Sequence, residues 1–303
     1  MLHDVVIVGG GPAGLSAALT LGRARKRVLL CDAGAPRNAA ATHMQNFVSR
    51  DGTPPPEFRR LAREQLARYP NVEIQDVRVE EIGGERGDFD VRLGADSVVA
   101  RRILLSAGLI DEVPAIEGFR ELWGTSILIC PYCHGWEVQD QRFAYLAPNA
   151  DRLSFALLLR SWTRDVIVLT DRNFAIPPDM AERLAAAHVP VDERTIARVR
   201  SIDGHLHGIE FADGERLERD VLFAHPPQQP APLVRSLGLA LDARGFVQVD
   251  EMQRETSIPG IYAAGDLVTY AQSAILAAAS GTQAAAMLNH SLTVELAVAG
   301  ALT

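Results

Sequence analysis

The stretch DVVIVGGGPAGLSAALTLGRARKRVLLCD, residues 4–32, decides the fold. Val5, Val6, Ile7 and Val8 form a continuous apolar run, the pattern of a strand buried on both faces of a parallel sheet. Gly9, Gly11 and Gly14 follow in the spacing G-x-G-x-x-G, with Pro12 and Ala13 inside the motif. Ala17, Ala18 and Leu21 continue one helix face. Val28, Leu29 and Leu30 make a second strand that ends at Asp32. Each position has a physical task. Gly9 permits a tight turn, Gly11 lets a pyrophosphate approach the backbone, and Gly14 lets helix pack on strand. The helix N-terminus offers N–H groups and a positive dipole end to phosphate. Asp32 is placed to accept a hydrogen bond from a ribose hydroxyl. Strand, glycine turn, helix, strand and acid together predict a dinucleotide-binding α/β unit. Cys31, inside the second strand, reads as a small buried apolar residue.

The remaining composition narrows the class. The chain has 303 residues, 48% hydrophobic and 22% charged, enough for one large or two medium domains. Its 30 Lys+Arg against 38 Asp+Glu give a net charge of -8, which argues against nucleic acid and anionic membrane as partners. No apolar run is long enough to span a bilayer, and MLHDVVIVGGG runs directly into a strand with no leader pattern. A cytoplasmic location is expected. Three cysteines do not make a disulfide framework, but a close pair points to redox or metal chemistry.

That pair is Cys130 and Cys133 in CPYCHGWE, residues 130–137. TSILIC is an apolar strand running into Cys130, and Pro131 suits the first turn of a helix. A cysteine at a helix N-terminus has its thiolate stabilised, and a two-residue gap brings both sulfurs within disulfide reach. Structural zinc needs four ligands, usually from a second C-x-x-C or Cys/His pair, and the sequence supplies none. His134, next to Cys133, is badly placed to chelate with it. No metal is expected.

Four motifs in order carry a resemblance. GGGPAG at 9–14, SAG at 106–108, CPYC at 130–133 and TSIPGIYAAGD at 256–266 resemble low-molecular-weight thioredoxin reductases, over nearly the whole chain. The resemblance implies an α/β fold of two Rossmann-like three-layer domains. An FAD domain would be made of residues 1–114 and 243–303, with a second domain, 115–242, inserted and carrying the C-x-x-C. It further implies that the glycine motif, with Ala107 and Gly108, belongs to the FAD site. Gly265 and Asp266 would contact the flavin side of the cofactor, and Gln272, Ser273 and Ala274 fall where a helix meets the flavin ring. Cys130 and Cys133 would exchange electrons with FAD. In that family an acid follows the second cysteine; here His134 stands there, able to move a proton with a pKa near 6.5. CPYCHGWE also looks like the sub-branch containing dithiol oxidases of sulfur-bridged natural products. A homodimer is implied, and the partner is a thioredoxin-like protein or a small dithiol or disulfide.

The inserted domain departs from the family at its NADPH loop. The strand–G-x-G-x-x-A–helix pattern falls on LAPNADRLSFALLLR, with Ala147 and Asn149 at the first two glycines and Arg152 at the small third position. Asp151 adds negative charge beside the expected pyrophosphate. TDRNFAIPP has Asp171 ahead of a single Arg172 where a basic cluster is expected, and AHPPQQPAP lacks the later glycine turn. The expectation is therefore an oxidoreductase that passes electrons between FAD and the Cys130–Cys133 pair without NAD(P)H. A ferredoxin, a second FAD or oxygen with a dithiol substrate would replace it. Trp136, Tyr145 and Trp162 are candidate stacking partners for a second isoalloxazine. The competing readings are a conventional NADPH-dependent thioredoxin reductase and a non-enzymatic flavin redox sensor.

Overall fold

A computed structural model describes residues 2–302. The chain packs as two units, residues 1–110 with 228–303, and residues 111–227. In the first unit, strand Leu2–Val8 lies between Val28–Cys31 and Asp96–Leu105, and Val72–Gln75 extends the sheet beyond Val28–Cys31. These neighbours all pair in parallel, Val5 opposite Val28 on one side and Arg102 on the other. Asp96–Leu105 is long enough to serve two neighbours on its far edge. Its first half pairs antiparallel with Asp88–Leu93, which in turn pairs with Glu81–Glu85. Its last residues, Ile103–Leu105, pair in parallel with Ile261–Ala263.

The period of two along the first strand sorts its side chains between two apolar layers. Val6 and Val8 pack with Leu29, Phe89, Val91 and Phe246. Val5 and Ile7 pack with Ala17, Ala18 and Leu21 of helix Pro12–Arg23, and with Ala284 and Leu288 of helix Ala274–Val298. The return to this unit comes at Gln228, fifteen residues before the expected boundary at 243, and the first crossing falls at 110 rather than 114. The physical reason is that Val234 and Leu239 belong to the same apolar layer as Val6 and Val8.

The second unit has a five-stranded, all-parallel sheet. Its order is Val191–Asp192, Val166–Leu169, Phe143–Leu146, Val221–Ala224, Ile127–Leu128. Strand order reverses direction between Phe143–Leu146 and Val221–Ala224, which makes the carboxyl ends of these two strands the switch point where such sheets hold ligands. One face is covered by a three-stranded antiparallel sheet, Ile196–Ile202, His205–Phe211 and Arg216–Glu218. The other is covered by helices Ser154–Leu159 and Pro178–Ala186. No helix of the described residues is long and apolar enough to cross a membrane.

Candidate active site

The first unit brings the glycine motif, the SAG motif and the late Gly-Asp turn together. Gly9 has φ +114°, and a Cβ there would lie 2.4 Å from the Ser106 carbonyl oxygen, so the turn is pressed against Ser106–Ala107. Ser106 Oγ donates within reach of the Val8 and Gly9 carbonyls, 3.0 Å from each. A Cβ on Gly14 would stand 1.9 Å from the Gly9 oxygen, so only glycine lets the helix begin this close to the strand. Gly265, at φ +76°, and Gly281 both abut Ala13: their added Cβ atoms would lie 2.9 Å from Ala13 Cβ and 2.0 Å from Ala13 O. The late turn and the last helix thus converge on the start of the first helix.

Space remains where a phosphate needs it. A Cβ on Gly11 would meet no atom within 4 Å. No side chain caps helix Pro12–Arg23 and its first turn carries no acid, so its N-terminus is open to an anion. Asp32, at the end of the second strand, is buried. Burial pushes its carboxyl up, but the Gly34 N–H and the Arg59 and Arg63 guanidiniums outweigh this and hold it below the usual carboxylate range. The contacts are Gly34 N to Oδ1 at 3.0 Å, and Arg59 Nη2 and Arg63 Nη2 to Oδ2 at 2.7 and 2.8 Å. Asp266 and Gln272 meet on Arg37, and Ser273 caps helix Ala274–Val298 by accepting from Leu276 N. Gly108 lies at φ +65° at the end of the SAG motif. An uncapped helix start, an open Gly11 and an ionised Asp32 at the second strand's end fit an adenine dinucleotide.

Sequence reasoning missed four members of this site. A Cβ on Gly10 would lie 2.2 Å from Asp32 Oδ2, so the middle glycine of GGG is needed too. Arg59 and Arg63, on the unanticipated helix Pro55–Leu66, and Arg37 in the preceding loop were also unread. The i, i+4 arginine spacing was the one available signal.

The dithiol lies in the second unit. Strand Ile127–Leu128 leads into Cys130, the N-cap of the four-residue helix Pro131–His134, which matches the local reading of TSILICPYC. Both cysteines of the pair are partly exposed. The Cys133 N–H donates to the Cys130 carbonyl at 3.2 Å, closing the turn. The Cys130 thiol is lowered to about 7, first by the Cys133 side chain and then by the Cys133 and Tyr132 backbone N–H groups, against burial, which raises it. Burial holds His134 below the ordinary histidine value, against Glu137 and the Cys130 backbone. The ring is therefore neutral near pH 7, and its Nδ1 is buried with no hydrogen-bond partner. Cys31 is 2% exposed and pushed up to about 12 by burial, so it is inert. Among the described residues no three His, Cys, Asp or Glu side chains gather as a metal site.

The three candidate stacking residues differ in what they offer a ligand. Tyr145 is 0% exposed and packs against Phe155 and His225, ring centroids 4.9 and 5.7 Å away, so it offers no free face to a flavin. Trp162 meets Tyr132 edge-on at 5.3 Å, and Trp136 is exposed. At the switch point Ala147 is fully buried and Asn149 is extended, at φ −165°, before the short 3-10 turn Ala150–Arg152. Phe155 and His225 stack edge-to-face across it at 4.4 Å.

Comparisons with known proteins agree with this geometry. Residues 3–281 match the family model described as pyridine nucleotide-disulphide oxidoreductase. The chain is 31% identical to thioredoxin reductase tcpT of Claviceps purpurea, covering 97% of this chain and 95% of that one. Its fold is similar to the crystal structure of HlmI, with TM-score 0.91, 38% identity, and coverage of 99% and 95%. It is equally similar to an oxidoreductase of Agrobacterium tumefaciens, with TM-score 0.91, 35% identity, and coverage of 96% and 99%. With the glycine cradle in one unit and the dithiol in the other, the chain belongs to the pyridine nucleotide-disulphide oxidoreductase family, as a thioredoxin reductase-like flavoprotein disulfide oxidoreductase.

Proposed function

We propose that this enzyme moves electrons between FAD, held by the first unit, and the Cys130–Cys133 pair, without a pyridine nucleotide. The observation that carries the reading is the switch point of the second unit. A dinucleotide needs a glycine turn there and an open helix N-terminus. This chain has buried Ala147, a side chain at Asn149, Arg152 at the third position, and the Phe155–His225 ring pair in contact across the strand ends.

In the first unit Gly9, Gly10, Gly11 and Gly14, with Pro12 and Ala13, form the pyrophosphate turn. Asp32 would take the ribose, and Asp266, Gln272, Ser273 and Ala274, beside Ala107, Gly108 and Gly265, would hold the flavin end. Bound FAD supplies a two-electron acceptor and donor. Cys130, its thiol lowered to about 7, is the nucleophile toward a substrate disulfide in one direction. In the other, a substrate thiolate attacks the enzyme disulfide. His134, neutral and half-buried beside the pair, accepts the proton that thiol oxidation releases.

In the direction of disulfide formation the neutral ring is the form that can take up the released proton, and oxygen is the final acceptor. The balance is one dithiol and one O2 giving one disulfide and one H2O2. The other acceptor or donor classes are a ferredoxin and a second flavin. The substrate is a small dithiol or the dithiol of a thioredoxin-like protein, the latter supported by the name of the Claviceps relative. The test is aerobic turnover of dithiothreitol and of reduced thioredoxin by FAD-loaded enzyme with no nucleotide added. One peroxide per disulfide is expected with a dithiol. Turnover that requires NADPH refutes the reading.

A further inference from the structure

We propose that Arg37 is a cofactor-positioning residue that locks the two flavin-side ligands, Asp266 and Gln272, into one charge-balanced cluster. This role rests on reading the first unit as the FAD-binding unit. Arg37 lies in the connection after the second strand, and its partners lie 229 and 235 residues later in the chain. One guanidinium nitrogen, Nη1, donates to both: Asp266 Oδ2 at 3.1 Å and Gln272 Oε1 at 2.6 Å.

Two consequences follow from the chemistry of the group. A guanidinium only donates, so the Gln272 amide must turn its oxygen toward Arg37. That directs Gln272 Nε2 to Gln228 Oε1, at 2.8 Å. An amide that could otherwise face either way is held in one orientation. The second consequence concerns charge. Asp266 follows Gly265, whose Cβ position lies 2.9 Å from Ala13 Cβ, beside the helix start that receives the pyrophosphate. An uncompensated carboxylate there would repel the dianion. Arg37 and Asp266 are only 22% and 23% exposed, so solvent screens that repulsion poorly and the paired cation cancels it. Arg37 belongs to neither apolar layer of the unit, so its removal leaves the cores intact.

The test is FAD binding to apoprotein, followed by equilibrium titration and by the visible circular dichroism of the bound flavin. The proteins are wild type, R37M, R37K, Q272L and the R37M/Q272L double variant. R37M should bind FAD on the order of 10- to 100-fold more weakly, the loss expected for charge-assisted hydrogen bonds. R37K, which keeps the charge, should recover most of that loss and the wild-type dichroism. The double variant should lose less than the sum of the singles, because both act through one cluster. Wild-type affinity and dichroism in R37M overturn the proposal, as does an R37K no better than R37M. Should R37M not fold, Q272L decides: weakened FAD binding supports the cluster and wild-type binding overturns it. Wild-type protein that takes up no FAD overturns the reading of the first unit and this role with it. Equal uptake by wild type and R37M overturns the role alone.

Discussion

Replacing Cys133 with alanine should raise the pKa of Cys130 and so change the pH profile of its alkylation. The Cys133 side chain is the largest influence drawing the Cys130 thiol down to about 7; two backbone N–H groups add to it and burial opposes it. With that side chain gone, the inflection should move toward or above the ordinary thiol value of ~8.5. At pH 7 the thiolate fraction then drops from about one half to about 3%, roughly 16-fold. A more basic thiolate is also a better nucleophile, with a Brønsted slope of ~0.45, which returns a factor of about 5. The net loss of rate at pH 7 is therefore only about threefold, and the decisive quantity is the inflection, which shifts by about 1.5 pH units or more. The assay is iodoacetamide modification of the reduced protein between pH 5 and 10, with the modified peptide identified by mass. Cys31, 2% exposed and pushed up to about 12, contributes no background. An inflection in Cys133→Ala that coincides with wild type would refute the assignment of the lowered pKa to the thiol pair.

The packing and two half-buried histidines set three further outcomes. Gly11→Ala should leave the melting temperature of the apoprotein unchanged, since its Cβ meets nothing within 4 Å and its φ is −79°, yet weaken FAD binding; Gly281→Ala, driven into the Ala13 carbonyl, should cost about 1–3 kcal/mol in chemical denaturation, and the reverse pattern would undo the two assignments. His134→Gln should lower dithiol turnover by roughly 10²–10⁴-fold at unchanged FAD content and abolish an acid limb lying below pH ~6.5, whereas a wild-type pH–rate profile would return His134 to a packing role. His225 is lowered to about 4, chiefly by burial and next by Arg152, so the unfolded chain takes up its proton first and stability should fall as pH drops from ~6.5 toward 4, by up to about 3 kcal/mol; His225→Phe should flatten that decline, and an unchanged slope would contradict the buried neutral ring.

The parts of the fold carried by local pattern were readable from sequence. The run Val5–Val8, the glycine spacing and Val28–Leu30 specify strand, turn, helix and strand without reference to anything distant, and all four elements are present. The turn at Cys130 was equally local, because Pro131 sets the helix start. Unread features depend on residues far apart in the chain. Arg59 and Arg63 reach Asp32 across 27 and 31 positions, and Arg37 reaches Asp266 across 229, so no local pattern announces their partners. Val234 and Leu239 sit in a proline-rich stretch with no regular period, and only the three-dimensional layer shows that they belong with the first strand. Tyr145, a candidate stacking partner by residue type alone, lies in a four-residue strand in the middle of a parallel sheet, where every side chain on both faces is buried.

This flavin is proposed to exchange electrons with the dithiol and not with a pyridine nucleotide. The direct measurement is an anaerobic spectral titration of the FAD-loaded enzyme, in separate cells, with NADPH, NADH and dithiothreitol. Dithiothreitol should bleach the flavin band, Cys130→Ser should abolish that bleaching, and neither nucleotide in large excess should bleach it within the time of a dithiol turnover. Rapid bleaching by NADPH or NADH would contradict it, and would mean that the Ala147–Arg152 loop and the Phe155–His225 pair still admit a nucleotide.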